Sequence, residues 1–180
     1  KLLFLVPARG GSKGIVKKNI IPLNGIPLIA YVLKTIQRSI KQIKNFQCRL
    51  IVTSDNNQIK KISKSYMAEA PFTRPEKLSD DNSKSIDVVF HALGWLAKNE
   101  SYKPNTIALI QPTSPFIITQ DILNVLSMHQ KENRPTVSVV KNSHPIEWSF
   151  RVNNQKIEPI FENNINRRQD SSDSYHLNGA

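Results

Sequence analysis

Three apolar runs of strand length, "LLFLVP" at residues 2–7, "RLIVTS" at 49–54 and "TIALIQ" at 106–111, narrow the folds open to this chain more than any other feature. Continuous rather than alternating hydrophobicity marks strands buried on both faces, and such strands belong to parallel sheets covered by helices on either side. The segments between the runs supply those helices. "PLIAYVLKTIQRSI" from Pro27 has helical spacing with proline in its first turn. "NQIKKISKSY" follows the second run, with Asp55 placed to cap it. After a short apolar "AEAPF" and a polar "TRPEKLSDDNSKS" comes the helical "IDVVFHALGWLAKN"; "QDILNVLSMHQKE" follows the third run, and "TVSVV" at 136–140 is expected to complete the alternation. The pattern predicts an α/β fold, a doubly wound and mostly parallel sheet whose ligands gather at the carboxyl ends of the strands.

After about Lys141 the character changes. Residues 142–180 are rich in Asn, with strand-length pieces and no convincing helix. The expected organisation is therefore an α/β domain over 1–141 and a strand-rich excursion over 142–180, suited to a subunit contact. With 39% apolar and 22% charged residues the chain suits a globular protein, and no window approaches the ~20 apolar residues of a membrane span. "KLLFLVP" lacks a small-residue cleavage site and runs straight into a loop, so a signal peptide is not expected. The single cysteine, Cys48, suits a reducing compartment, and a cytoplasmic location is the expectation.

The loop after the first run, "ARGGSKGIVKKN", carries chemistry. Residues 1–54 hold ten Lys or Arg and no acid, within a net charge of +11. Such an excess draws anions, whether nucleic acid, anionic lipid or phosphorylated small molecules. For Lys34, Arg38, Lys41 and Lys44 on one helix a solvated face is the simpler reading. For the loop, Gly10, Gly11 and Gly14 would let backbone N–H groups approach a ligand closely, with Arg9, Lys13, Lys17 and Lys18 around it. The spacing matches neither G-x-G-x-x-G nor a Walker A loop. A polyphosphate suits it. Nucleic acid is disfavoured because Phe4, Tyr31 and Phe46, the aromatics of this quarter, sit in apolar contexts rather than interleaved with the cations.

The loop resembles the N-terminal signature of the acylneuraminate cytidylyltransferases, the CMP-sialic acid synthetases. "RPEKLSDDNSKSI" from Arg74, "LIQPTSPF" from Leu109 and "RRQDSSDSYHLNGA" from Arg167 are similar to that family's later motifs, in the same order and at about the same spacing. The resemblance, to the bacterial N-acetylneuraminate and legionaminate type, implies a nucleotide-diphospho-sugar transferase-like fold. It implies that CTP is joined to an acidic nine-carbon sugar, with release of pyrophosphate, in a homodimer assisted by Mg2+ (or Mn2+). It would place Arg9, Ser12, Lys13, Lys18 and Asn19 on the triphosphate, with Lys18 and Arg9 stabilising transferring charge. Arg74, Ser83 and Ser85 would contact the nucleotide; on the residues alone, Arg74-Pro75 reads equally as a surface turn and either serine as a helix cap. Gln111 and Thr113 would meet sugar hydroxyls, Arg168 (beside Arg167) the sugar carboxylate or a phosphate from the neighbouring chain, and Tyr175 and Asn178 the sugar pocket. His144-Pro145 falls where the family carries a His-Pro pair near the sugar.

Departures leave the sugar open: Ile117 stands where relatives often carry arginine, His176-Leu177 where many carry Arg-Pro, and Glu147 where some carry lysine. A ketodeoxyoctonate-type enzyme and a non-catalytic homologue are the alternatives. The family's Asp-x-Asp metal site lies beyond the Asn-Gly-Ala motif, and Ser79-Asp80-Asp81 is no substitute. These 180 residues are accordingly expected to bind CTP and turn over poorly. His91, His129 and His176 show no metal-ligand spacing and read as solvated or core histidines.

Overall fold

The computed structural model describes residues 1–12, 14–80, 83–161 and 167–178. It divides into two compact units, residues 1–136 and 137–178.

In the first unit, β1 (Leu2–Pro7) leads through the glycine loop to a 3-10 turn at Lys18–Ile20 and a two-residue hairpin, β2 (Pro22–Leu23) and β3 (Ile26–Pro27). Helix α1 (Leu28–Gln42), strand β4 (Cys48–Thr53), α2 (Asn57–Ser65), α3 (Ser85–Glu100), β5 (Thr106–Leu109) and α4 (Thr119–Glu132) follow. The three apolar runs form one parallel sheet in the order β4-β1-β5, with Phe4 level with Leu50 and Ala108.

Side-chain alternation along the central strand explains why its sequence is apolar throughout. Leu2, Phe4 and Val6 point into a core shared with Ile29, Val32, Leu33 and Ile36 of α1, Ile59 of α2, and Ile122 and Leu126 of α4. Leu3 and Leu5 point the other way, onto Val89, Ala92 and Leu96 of α3 and onto Phe72. Leu2 to Val6 are all fully buried. A strand that must satisfy two cores has no place for a polar residue. This is the doubly wound arrangement, with helices on both faces. No helix among the described residues is long and apolar enough to cross a membrane.

Two local expectations are corrected. Asp55 does not cap α2: Asn56 does, its side-chain oxygen accepting from the N–H groups of Gln58 and Ile59 at 2.9 and 3.1 Å. The carboxylate of Asp55 is turned elsewhere. Nor does "TVSVV" add a strand to the parallel sheet. Its end contributes to β6 (Val139–Lys141), which pairs antiparallel with β9 (Tyr175–Leu177) inside the second unit.

That unit also holds the hairpin β7 (Phe150–Asn153) and β8 (Lys156–Pro159). Its start at Val137 lies a few residues before the change of composition at Lys141. Asn142 anchors the β6–β9 ribbon: its N–H donates to the Ser174 carbonyl at 2.9 Å and its side-chain amide to the Ser174 hydroxyl at 2.9 Å. Among residues 137–178 as described, no Val, Ile, Leu, Phe, Tyr or Trp side chain is buried.

Candidate functional site

A parallel sheet brings the carboxyl ends of its strands to one edge, and the chain leaves β1, β4 and β5 there by three polar loops. The loops surround a pocket of about 280 Å³. One wall is the glycine loop and 3-10 turn, with Arg9, Gly11, Ser12, Lys18 and Asn19; a second is Arg74, Leu78, Asp80, Ser83, Ser85 and Val88; a third is Gln111, Pro112 and Thr113.

The glycine wall is held from below. The Ala8 N–H donates to the Thr53 carbonyl at 3.0 Å, and the Gly10 N–H to Asp55 Oδ1 at 2.9 Å. At Gly10 the absence of a side chain matters, since a Cβ there would lie 2.8 Å from Cβ of Asn56. At Gly11 and Gly14 an added Cβ would meet nothing within 4 Å, so at these positions the backbone faces open space. Lys17 takes a left-handed conformation (φ 53°) immediately before the 3-10 turn. That reversal leaves Lys17 exposed while Lys18 lines the pocket. Asn19 is buried, its amide donating to the Arg9 carbonyl at 2.9 Å and its Oδ1 without a hydrogen-bond partner among the described residues.

The second wall is built on Arg74. Its backbone N–H donates to the Ser54 carbonyl at 2.9 Å, its Nε donates to Ser79 Oγ at 3.0 Å, and its Nη2 lies 3.5 Å from Asp55 Oδ1. Only 4% of the residue is exposed. Burial pushes the guanidinium below its ordinary pKa, Asp55 pulls it back up, and the positive charge of Arg9 adds to the depression. The surface-turn reading of Arg74-Pro75 is thereby excluded. Ser83 and Ser85 do not cap α3 either: the residue before the helix is Lys84, with no side-chain cap. Ser83 Oγ donates to Asp80 Oδ1 at 2.8 Å, and Ser85 is the first helical residue. Behind this wall His91 packs edge-on against Phe72, ring centroids 5.2 Å apart, with its Nδ1 buried and without a hydrogen-bond partner among the described residues.

Of the expected site residues, Arg9, Ser12, Lys18, Asn19, Arg74, Ser83, Ser85, Gln111 and Thr113 all line this one pocket. Lys13 and Asp81 lie outside the described residues, as do the side chain of Arg168 and the Gly179-Ala180 end of the last motif. The pocket is built wholly from the first unit. Arg168, on a short 3-10 turn, belongs to the second, with Tyr175 on β9 and Asn178, whose Oδ1 accepts from Ser138 Oγ at 2.8 Å. His144, also in the second unit, is exposed, its Nδ1 set 2.9 Å from the Ser143 carbonyl. The residue that the sequence reading placed wrongly is Asp55, because an acid before a helix carries the same signal whether it caps or not.

Mg2+ is commonly held by one or two carboxylates together with substrate phosphates. The described lining brings one carboxylate, Asp80, already engaged with Ser83. Among the described residues no group of three His, Cys, Asp or Glu side chains could hold an ion. Asp80 is thus the one described lining carboxylate that could face Mg2+ (or Mn2+) held with substrate phosphates.

An α/β sheet with three cations, several hydroxyls and two amides at the carboxyl ends of its strands defines a site of nucleotide-binding type. The chain belongs to the cytidylyltransferase family, whose model matches residues 3–174. It is 32% identical over 183 residues to the N-acylneuraminate cytidylyltransferase of Escherichia coli, an alignment covering all of this chain and 41% of that protein. It is 31% identical to a pseudaminic acid cytidylyltransferase of Campylobacter jejuni, covering all of this chain and 76% of the relative. With the CMP-N,N'-diacetyllegionaminic acid synthase of Legionella pneumophila the identity is 28%, again over all of this chain and 76% of the relative. Among solved structures, a CMP:2-keto-3-deoxy-manno-octonic acid synthetase complexed with CTP matches with a TM-score of 0.66 at 18% identity, covering 99% of this chain and 72% of the other. A 4-diphosphocytidyl-2C-methyl-D-erythritol synthase matches at 0.62 and 10% identity, over 89% and 68%. These two likenesses show a shared fold.

Proposed function

We propose that the protein activates an acidic nonulosonate sugar of the sialic, pseudaminic or legionaminic type with CTP, giving the CMP-sugar and pyrophosphate. The observation that carries this reading is the convergence of Arg9, Lys18 and Arg74 on one pocket, in a chain of the cytidylyltransferase family. The names of three relatives that align over the whole chain support the sugar class.

In this reading the sugar's anomeric hydroxyl attacks the α-phosphorus. A new P–O bond forms as the bond to the bridging oxygen of pyrophosphate breaks, and the hydroxyl proton is lost to solvent. Negative charge shifts toward the leaving oxygens during the step, so positive groups fixed in advance lower its barrier. Arg9, Lys18 and the backbone N–H groups at Gly11 and Ser12 would hold the triphosphate, with Lys13 assigned to the same loop. Asn19, its amide donating to the Arg9 carbonyl, would fix the course of this loop beside the triphosphate. Arg74, Ser83 and Ser85 would read cytosine, whose carbonyl and ring nitrogen accept hydrogen bonds. Gln111 and Thr113 would meet sugar hydroxyls.

The second unit would serve assembly. Trp148, Phe150, Val152, Ile157 and Leu177 are each more than 40% exposed, and exposed apolar groups in such number mark an association surface. A second copy would cover them in a homodimer that brings Arg168, Tyr175 and Asn178 to a shared sugar site. The test of the reading is pyrophosphate release from CTP with a panel of acid sugars, ketodeoxyoctonate included. Release with a nonulosonate is the expected result; release with ketodeoxyoctonate alone, or with none from a catalytically complete form, would overturn it.

A further inference from the structure

Asp55 stands just past the end of β4, between the two loops that carry the pocket's cations, and the reaction described above does not use it. Because β1 and β4 run side by side with Pro7 level with Thr53, the chain that leaves each strand is brought within reach of the other. A single carboxylate oxygen meets both: Oδ1 accepts from the Gly10 N–H at 2.9 Å and faces the Arg74 guanidinium at 3.5 Å. The contact with Arg74 is an ion pair at the outer limit of hydrogen-bond distance, made by a buried Nη2. Arg74 also has Arg9 as a like-charged neighbour. Asp55 is thus the counter-charge at the point where two cationic loops would otherwise separate.

We propose that Asp55 is a positioning residue, a brace that sets the phosphate-holding loop and the base-reading loop at a fixed distance before a nucleotide enters. The proposal rests on the reading of the pocket as a CTP site. It has a competitor of opposite sign. A carboxylate beside a triphosphate site also repels the ligand, so removing its charge tightens binding if repulsion is all it supplies. If it supplies position, removing it weakens binding, because the ligand must then order a loosened guanidinium.

Calorimetric titration with CTP and with inorganic pyrophosphate separates the two. Asp55→Asn keeps an oxygen for the Gly10 N–H and loses the charge that faces Arg74. It is expected to weaken CTP binding by about thirtyfold or more, the lower end of what unpairing a buried charge costs, and to change pyrophosphate binding by less than about threefold. Asp55→Ala loses both contacts and should weaken both ligands. In an Arg74→Gln background Asp55→Asn should add less than about threefold, because its partner is already gone. Asp55→Glu, which keeps the charge, should bind CTP more tightly than Asp55→Ala, and it carries the test if Asp55→Asn does not fold by thermal unfolding. CTP binding by Asp55→Asn that equals or exceeds wild type, equal losses for both ligands, or no rescue by glutamate would overturn the brace while leaving the CTP site standing. A wild-type chain that binds neither CTP nor pyrophosphate would remove the CTP reading, and the brace with it.

Discussion

Lys18 and Lys17 are adjacent in sequence and identical in chemistry, yet one lines the pocket and the other faces outward, because the left-handed turn at Lys17 reverses the chain between them. If Lys18 meets charge developing on the transferring phosphoryl group, Lys18→Ala should, in a catalytically complete form, lower turnover by about 10²- to 10³-fold. The measurement is pyrophosphate release at saturating CTP, with Lys17→Ala as a control expected to stay within about threefold. A second residue gives a pH dependence. Burial, then the charges of Arg74 and Lys77, hold His91 below the ordinary histidine value. Its folded-state pKa is depressed, so below about pH 6.5 the unfolded chain takes up a proton that the native chain resists. Stability should therefore fall as pH drops from about 7 toward 5, and His91→Gln should flatten that slope in urea unfolding. An unchanged slope would show that the ring titrates freely. The cations of the site were legible in the sequence, since a glycine loop after a buried strand has few other uses for so many. Asp55 was not, because its contacts with Gly10 and Arg74 join residues 45 and 19 positions away.

At the scale of elements, the three parallel strands and four helices were legible because each buries a face that the apolar pattern prints directly. The cap of α2 was misplaced by one residue. Asp55 and Asn56 are both good caps, and only the backbone decides which side chain folds back over the helix. Asn56→Ala should cost about 1 kcal/mol of stability by chemical denaturation through loss of the two bonds to Gln58 and Ile59. A loss well under half of that would mean that α2 is held by packing alone. The pairing of β6 with β9 was also hidden. "TVSVV" has the composition of a parallel strand, but its partner is "YHL", some 35 residues on, and nothing local distinguishes an antiparallel ribbon from another sheet strand.

At the scale of the molecule, the first unit carries the pocket and the second carries exposed apolar surface, with no core of its own among the described residues. If a second copy covers that surface and delivers Arg168, then mixing Arg168→Ala with Lys18→Ala protein should restore pyrophosphate release, since some mixed dimers hold one intact site. A monomer by light scattering together with no complementation would refute the shared site. The central claim is narrower, and titration calorimetry of the wild-type chain with CTP, UTP, ATP and GTP in turn tests it most directly. A pocket in which Arg74, Ser83 and Ser85 meet cytosine edges while Arg9 and Lys18 hold phosphate should bind CTP at least about tenfold more tightly than the other three. Equal affinity for all four, or no binding of any, would contradict it.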